Sequence, residues 1–176
     1  MNVPIEKYFA LDLDGIAPLN DAIGGVTVTS LYTFDDYDIK EGDEVHLVGN
    51  MAEQYVRLRD KTDVNGSLNR TKRQSQYLRA YAKQLLPAVT QDFGVVSDLY
   101  NTTMEYSITN ISLSNVVYMG SMLLSKGIND VETLSIEGEM KKSTNTEYSE
   151  VTYAEFYPDD DSLMQAVLSA FYIQID

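Results

Sequence analysis

The feature that most restricts the fold is the stretch from Leu68 to Leu86, which holds neither glycine nor proline. Leu78, Ala82, Leu85 and Val89 recur there at helical spacing, with Tyr77 and Tyr81 beside them. The spacing predicts a long helix that Pro87 ends or kinks. An amphipathic helix must bury its apolar stripe against another element, and several neighbouring segments read as strands. "KYFALDLDG" suits a short buried strand, and "VTVTSLY", "VETLSIEGEM" and "EVTYAEFY" alternate as half-buried strands do. Shorter helices are expected in "IAPLNDAI", closed by Gly24-Gly25 as a purely structural turn, and in "VGNMAEQYV", with Asn50 as its N-cap. Two more fall in "VTQDFGVVSDLYNTTM" and in "SLSNVVYMGSMLLSKG", the latter capped by Ser112 or Ser114 and closed by Gly127. A last one falls in "PDDDSLMQAVLSAFYIQ". "TFDDYDIKEGDEVHL" reads as an acidic surface loop bending at Gly42, and "DKTDVNGS" as a loop with a turn at Asn65-Gly66. Strands mixed with helices place the chain in the α/β or α+β class, and 176 residues fit one domain, 1–176.

Several function classes are excluded by what is missing. Without cysteine there is no disulfide, no thiolate zinc site and no thiol nucleophile. The lone His46 cannot build a multi-histidine metal site and reads as an ordinary strand or turn residue. No apolar run approaches the ~18 residues of a membrane span. The N-terminal "MNVPIEKYFALDLDG" carries acids through its apolar part, unlike a signal peptide. It enters a strand almost at once, which is expected of a trimmed chain or a fragment. Asp159, Asp160 and Asp161 suit the first turn of a helix better than a calcium site. Asp35, Asp36 and Asp38 read as a solvated loop. No nucleophile elbow, phosphate-binding glycine loop or dinucleotide fingerprint is present.

The charge is strongly segregated. The formal net charge is −14, yet eight of the 13 basic residues lie between Arg57 and Lys83. Only Asp60 and Asp63 oppose them, so that window is +6 and the rest of the chain −20. The overall field argues against nucleic acid as a partner, but a local basic pocket suits a small phosphate. Arg57 and Arg59 share a face if their segment is extended. Arg70 and Arg73 share a face at the start of the long helix, where free N–H groups add positive potential. Gln74 adds a donor and an acceptor. Guanidiniums stay charged and grip phosphate with two parallel bonds. Ion pairing with nearby acids, Asp60 and Asp63 first among them, is the competing use.

Three blocks in order carry a resemblance. "LDGIAPLNDAIGGV" is similar to a helix followed by a Gly-Gly-Val turn. Leu47, Gly49, Ala52, Tyr55, Val56, Arg57 and Arg59 match L-x-G-x-x-A-x-x-Y-V-R-x-R. Arg70, Arg73 and Gln74 match D-x-x-R-x-x-R-Q, with Ser67 in place of the aspartate. Together they resemble the LytR-CpsA-Psr family of cell-envelope proteins over residues 3–88, the second half of that domain, with 89–176 as its C-terminal extension. The resemblance implies a three-layer α/β/α fold, incomplete at its N-terminal side. It implies transfer of a phosphate-linked glycopolymer, such as teichoic acid or capsule, from a polyprenyl-pyrophosphate carrier to peptidoglycan. The implied location is the extracellular face of the cytoplasmic membrane. Arg57, Arg59, Arg70, Arg73 and Gln74 would hold the phosphates. Magnesium is implied as well, with its aspartate ligands in the family's earlier half and so outside this chain, and no catalytic residue is assignable here. The alternatives are a non-catalytic binder of lipid-linked phosphates or wall polymer, and a regulator of envelope genes.

Overall fold

The computed structural model describes residues 5–60, 62–92, 94–126, 134–144 and 152–172. In chain order the elements are β1 (Phe9–Leu11), α1 (Ile16–Ala22), β2 (Val26–Thr29), β3 (Glu44–Leu47), α2 (Asn50–Arg57), α3 (Gly66–Gln91), α4 (Gly94–Tyr106), β4 (Ser107–Thr109), α5 (Leu113–Lys126), β5 (Gly138–Thr144), β6 (Thr152–Pro158) and α6 (Asp160–Phe171). The described strands pair as three antiparallel ribbons, β1 with β4, β2 with β3 and β5 with β6. The class is mixed α/β. The chain divides into two compact units, residues 1–58 with 70–131 and residues 59–69 with 132–176.

The first unit holds the packed core. Alternation in β2 turns Val26 and Val28 inward and Thr27 and Thr29 outward. Val26 lies opposite Leu47 and Val28 opposite Val45. Ile23, Phe34, Ile39, Ala52, Tyr55, Val56 and Tyr77 complete the cluster. The acidic segment expected as a plain loop therefore contributes a strand, β3, and two buried apolar anchors, Phe34 and Ile39. Its charges face water while its few apolar residues, spaced by turns, supply the burial. His46 stands opposite Thr27 on the outer face, with Thr27 Oγ1 and His46 Nδ1 3.0 Å apart.

Gly24 and Gly25 close α1, as their sequence suggests. Both have positive φ, +82° and +85°. The Gly25 N–H donates to Asn20 O and the Gly24 N–H to Asp21 O, both at 2.9 Å, the paired bonds of a Schellman ending. At the start of α2 the N-cap is Gly49 rather than Asn50, which is the first helical residue. Gly49 adopts φ +53° and ψ −137°, a conformation open mainly to glycine, while its N–H donates to Asp21 Oδ1 at 2.8 Å.

The long helix forms as expected but differs in two respects. It runs through Pro87 to Gln91 rather than stopping there. Its buried face also matches the expected one only in part: Tyr77 is buried and Tyr81 and Leu85 pack on the core, joined by buried Arg73 and by Ala80 and Ala88, whereas Leu78 is 62% exposed. Tyrosines win this face because each hydroxyl reaches a partner: Tyr77 donates to Asn20 Oδ1 (3.1 Å) and Tyr81 to Leu19 O (3.2 Å).

Ser112 caps the start of α5, its Oγ accepting from the Asn115 N–H at 3.3 Å; Gly127, expected to close that helix, lies outside the described residues. In the second unit, β5 and β6 form a hairpin in register from Gly138 opposite Pro158 to Thr144 opposite Thr152. Asp159 then caps α6, its side chain accepting from the Ser162 N–H at 2.8 Å, with Asp160 and Asp161 in the first turn. The aspartate triplet is a helix start, as its position in the sequence suggests.

Candidate functional site

The site is built around the end of α2 and the beginning of α3. A helix leaves its last four carbonyls without intrahelical partners. In α2 the Gln54 carbonyl is taken by the Leu58 N–H at 3.0 Å. The next ones are taken by α3: Arg73 Nε donates to Tyr55 O at 2.9 Å, Arg73 Nη2 donates to Leu58 O, and Gln74 Nε2 donates to Val56 O at 3.1 Å.

Arg73 is only 2% exposed. Its guanidinium carbon lies 5.0 Å from the centre of the Tyr32 ring and 5.7 Å from that of Phe34, cation–π contacts in a desolvated setting. The half-unit of negative charge at the C-terminus of α2 also faces it. Burial lowers the pKa of Arg73, and the positive charge of Arg70 acts in the same direction. Tyr55, which presents one of the carbonyls, is locked in turn. Its hydroxyl donates to Gln76 Oε1 (2.5 Å) and accepts from the Leu31 N–H (3.2 Å), while Gln76 Nε2 donates to Thr29 O (2.7 Å). Burial raises the Tyr55 pKa and keeps the phenol neutral.

The other arginines stand differently. Arg57 is the last residue of α2, not part of an extended segment, and its side chain is 55% exposed. It pairs with Glu53 one turn back, at 2.7 Å. That partner was legible in the sequence, because glutamate four residues before arginine is a favoured helical pair. Arg59 is exposed and belongs to the second unit. Arg70 lies in the second turn of α3, past the helix-start N–H groups, of which those of Gly66 and Asn69 already donate to Asp63 O and Asn65 O. Its Nε is buried and has no hydrogen-bond partner. Among the described residues no carboxylate pairs with Arg59 or Arg70.

Asp60 and Asp63, the acids nearest in sequence, serve their own loop. Asp60 Oδ1 accepts from the Thr62 hydroxyl (2.6 Å), the Thr62 N–H (2.7 Å) and the Asp63 N–H (3.3 Å). The bonds from Thr62 hold its carboxyl below the usual carboxylate range. Asp63 accepts from the Asn65 N–H (2.9 Å) and from Asn69 Nδ2 (3.0 Å). The turn closes so tightly that a Cβ on Gly66 would run into the Asp60 carbonyl oxygen. Lys61 lies outside the described residues.

A buried guanidinium nitrogen without an acceptor, beside a second guanidinium and unopposed by an acid, fits an anion with several oxygens. Magnesium is a different matter. Among the described residues no three acidic or histidine side chains are grouped so as to hold a metal ion, so these residues do not fit one.

The family model described as the LytR_cpsA_psr family matches residues 1–158. The chain belongs to this family. It is 30% identical over 152 residues to the polyisoprenyl-teichoic acid–peptidoglycan teichoic acid transferase TagU of Halalkalibacterium halodurans, a match covering 84% of this chain and 48% of that protein. With the transferase TagV of Bacillus subtilis, identity is 28% over 146 residues, 78% of this chain and 37% of that one. The crystal structure of B. subtilis TagV aligns with a TM-score of 0.69 at 26% identity, covering 95% of this chain and 63% of the other. The LytR-Csp2A-Psr enzyme from Actinomyces oris aligns at 0.66 with 16% identity, over 94% and 64% of the two chains, and shows the fold alone. The fold of this LytR-CpsA-Psr chain is thus the one its sequence blocks suggest, and the match runs well past residue 88. The chain spans about half the length, or less, of the relatives TagU and TagV.

Proposed function

We propose that this chain is the arginine-bearing, phosphate-holding part of a cell-envelope transferase. Such an enzyme moves a phosphate-linked glycopolymer, teichoic acid or capsule, from a polyprenyl-pyrophosphate carrier to peptidoglycan at the extracellular face of the cytoplasmic membrane. The names of the relatives TagU and TagV support the reaction class. The observation that carries the site is the buried, unpartnered Nε of Arg70 beside the buried Arg73. Arg57, Arg70, Arg73 and Gln74 make up the phosphate site of the first unit. Arg59 receives the same role from the sequence pattern alone. Guanidiniums there stabilise charge as it builds on the departing phosphate.

Magnesium enters through the family, with ligands supplied from outside this chain, and no step is assigned to it here. No described helix is long and apolar enough to cross a membrane, so attachment to the membrane is likewise assigned to sequence outside the described residues. Binding of lipid-linked phosphate without turnover is the second reading. It is favoured by the lack of a metal-holding group of acids among the described residues. Gene regulation by contact with nucleic acid is disfavoured by the net charge of −14.

The test is to titrate a short-chain polyprenyl pyrophosphate into the purified chain and into Arg70→Ala by calorimetry, then to add magnesium and a wall acceptor. Binding by the parent chain that disappears in Arg70→Ala is the expected result, with no product from either. Equal affinity for both chains refutes the site. Metal-dependent product from the intact chain refutes the division of labour and puts acids such as Asp60 or Asp63 on the metal.

A further inference from the structure

The geometry points to Arg73 as a positioning residue rather than a phosphate ligand: through the α2 carbonyls it sets the direction in which Arg57 leaves the helix and the chain turns beyond it. The inference rests on the phosphate-site reading of the preceding subsection and divides its arginines into two roles.

Three observations carry it. Two donors of Arg73, Nε and Nη2, are engaged by the carbonyls of Tyr55 and Leu58, which bracket Arg57 in the chain. Gln74 takes the carbonyl between them, Val56. The segment 55–58 is therefore stitched at three backbone carbonyls to two side chains of α3, so the hold depends on Arg73 and Gln74 keeping their rotamers. Second, Arg73 occupies the core-facing stripe of α3, four residues before Tyr77, and is 2% exposed, packed against the rings of Tyr32 and Phe34. A ligand reaching it would have to displace aromatic packing. Third, Arg70 has the opposite character: among the described residues no carbonyl engages it, and its buried Nε lacks a partner.

The division follows from elementary constraints. The end of a helix frays unless its carbonyls are satisfied, and a frayed α2 would let Arg57 sample many directions. A guanidinium is suited to the clamp because its rigid fork reaches two acceptors and never loses its charge. Lysine at the same place offers a point charge that cannot span both carbonyls. Arg70 then meets the anion, while Arg73 acts through Arg57 and the backbone.

The experiment uses the purified chain with inorganic pyrophosphate as the probe and arginine Nε–H correlation spectra as one readout. In the parent chain the Arg70 signal is expected to shift with pyrophosphate, and the Arg73 signal to be present beforehand and to stay in place. In Arg73→Lys, provided that the circular dichroism remains that of the folded chain, the Arg70 signal still responds. Affinity falls roughly tenfold, as when groups that orient ligating side chains are lost. Amide exchange at Leu58 also speeds up. Shifts of Arg73 that saturate together with those of Arg70 make Arg73 a ligand and overturn the inference. Unchanged affinity in Arg73→Lys reduces Arg73 to a stability role and overturns it as well. If no arginine signal responds in the parent chain, the phosphate-site reading itself has failed and the inference falls with it.

Discussion

Replacing Arg70 with methionine should stabilise the chain in the absence of an anion and abolish its response to one. The Arg70 Nε is buried without an acceptor, and such a donor costs about 1–3 kcal/mol. Arg70 also presses a like charge on the buried Arg73. Methionine keeps most of the apolar stem, fills similar space and removes both penalties. After allowance for imperfect repacking, the expected gain is about 1–2 kcal/mol. For a chain of this size that corresponds to roughly 3–6 °C in Tm. The parent chain should gain about 2.7 kcal/mol from pyrophosphate at a hundred times its Kd, and Arg70→Met should gain nothing. The assay is thermal unfolding by circular dichroism in anion-poor buffer, with and without pyrophosphate. Lys40→Met serves as control, because Lys40 is exposed and the substitution changes net charge by the same unit. If Arg70→Met melts below the parent chain while Lys40→Met does not, the Arg70 guanidinium is already satisfied and the reasoning fails. A pyrophosphate shift that survives in Arg70→Met moves the anion elsewhere.

Asn20→Ala should cost about 2–4 kcal/mol in urea unfolding, because buried Asn20 donates to Leu47 O at 2.9 Å and accepts from the Tyr77 hydroxyl; a loss under about 1 kcal/mol would contradict that network. Gly25→Ala should destabilise more than Gly24→Ala. Both positions have left-handed φ, but only at Gly25 would the new Cβ lie 2.8 Å from the His46 ring and 2.9 Å from Leu47 O; equal losses of Tm would remove the steric argument. Tyr81 is pushed up to about 12 by burial. Its neutral form is favoured in the fold, so its contribution is complete below the ordinary tyrosine value of 10 and declines as the pH rises from there to about 12. Ultraviolet titration should show the Tyr81→Phe difference only in that upper range, and a difference centred on pH 10 would mean that the ring is solvated.

Local patterns were legible wherever a residue's role depends on its neighbours in the chain. Alternation named β2, and the Gly24-Gly25 ending of α1 and the Asp159 start of α6 followed from capping chemistry alone. The family blocks around Tyr55–Arg59 and Arg70–Gln74 led to the LytR-CpsA-Psr assignment. Less was visible where apolar residues are sparse. Strand β3 lies in a segment whose acids mask it, because charges on the outer face say nothing of Leu47 on the inner one. The buried face of α3 departs from the leucine spacing at Leu78, because leucine looks more apolar than the neighbouring Tyr77. A tyrosine with a partner for its hydroxyl buries more surface.

By itself the sequence determined the α/β class, the long helix, the concentration of positive charge between Arg57 and Lys83 and the family to which the chain belongs. These rest on periodicity, capping and composition, which are properties of the linear chain. Only the tertiary structure decided what each arginine does. Arg57 binds Glu53, Arg70 keeps a bare buried nitrogen, and Arg73 closes a helix 18 residues away in sequence. The side chains of Arg70 and Arg73 are chemically identical, and only three-dimensional packing sets which acceptors lie within reach of each. The carbonyls left without intrahelical partners at the end of α2 draw in the arginine that the core-facing stripe of α3 presents to them.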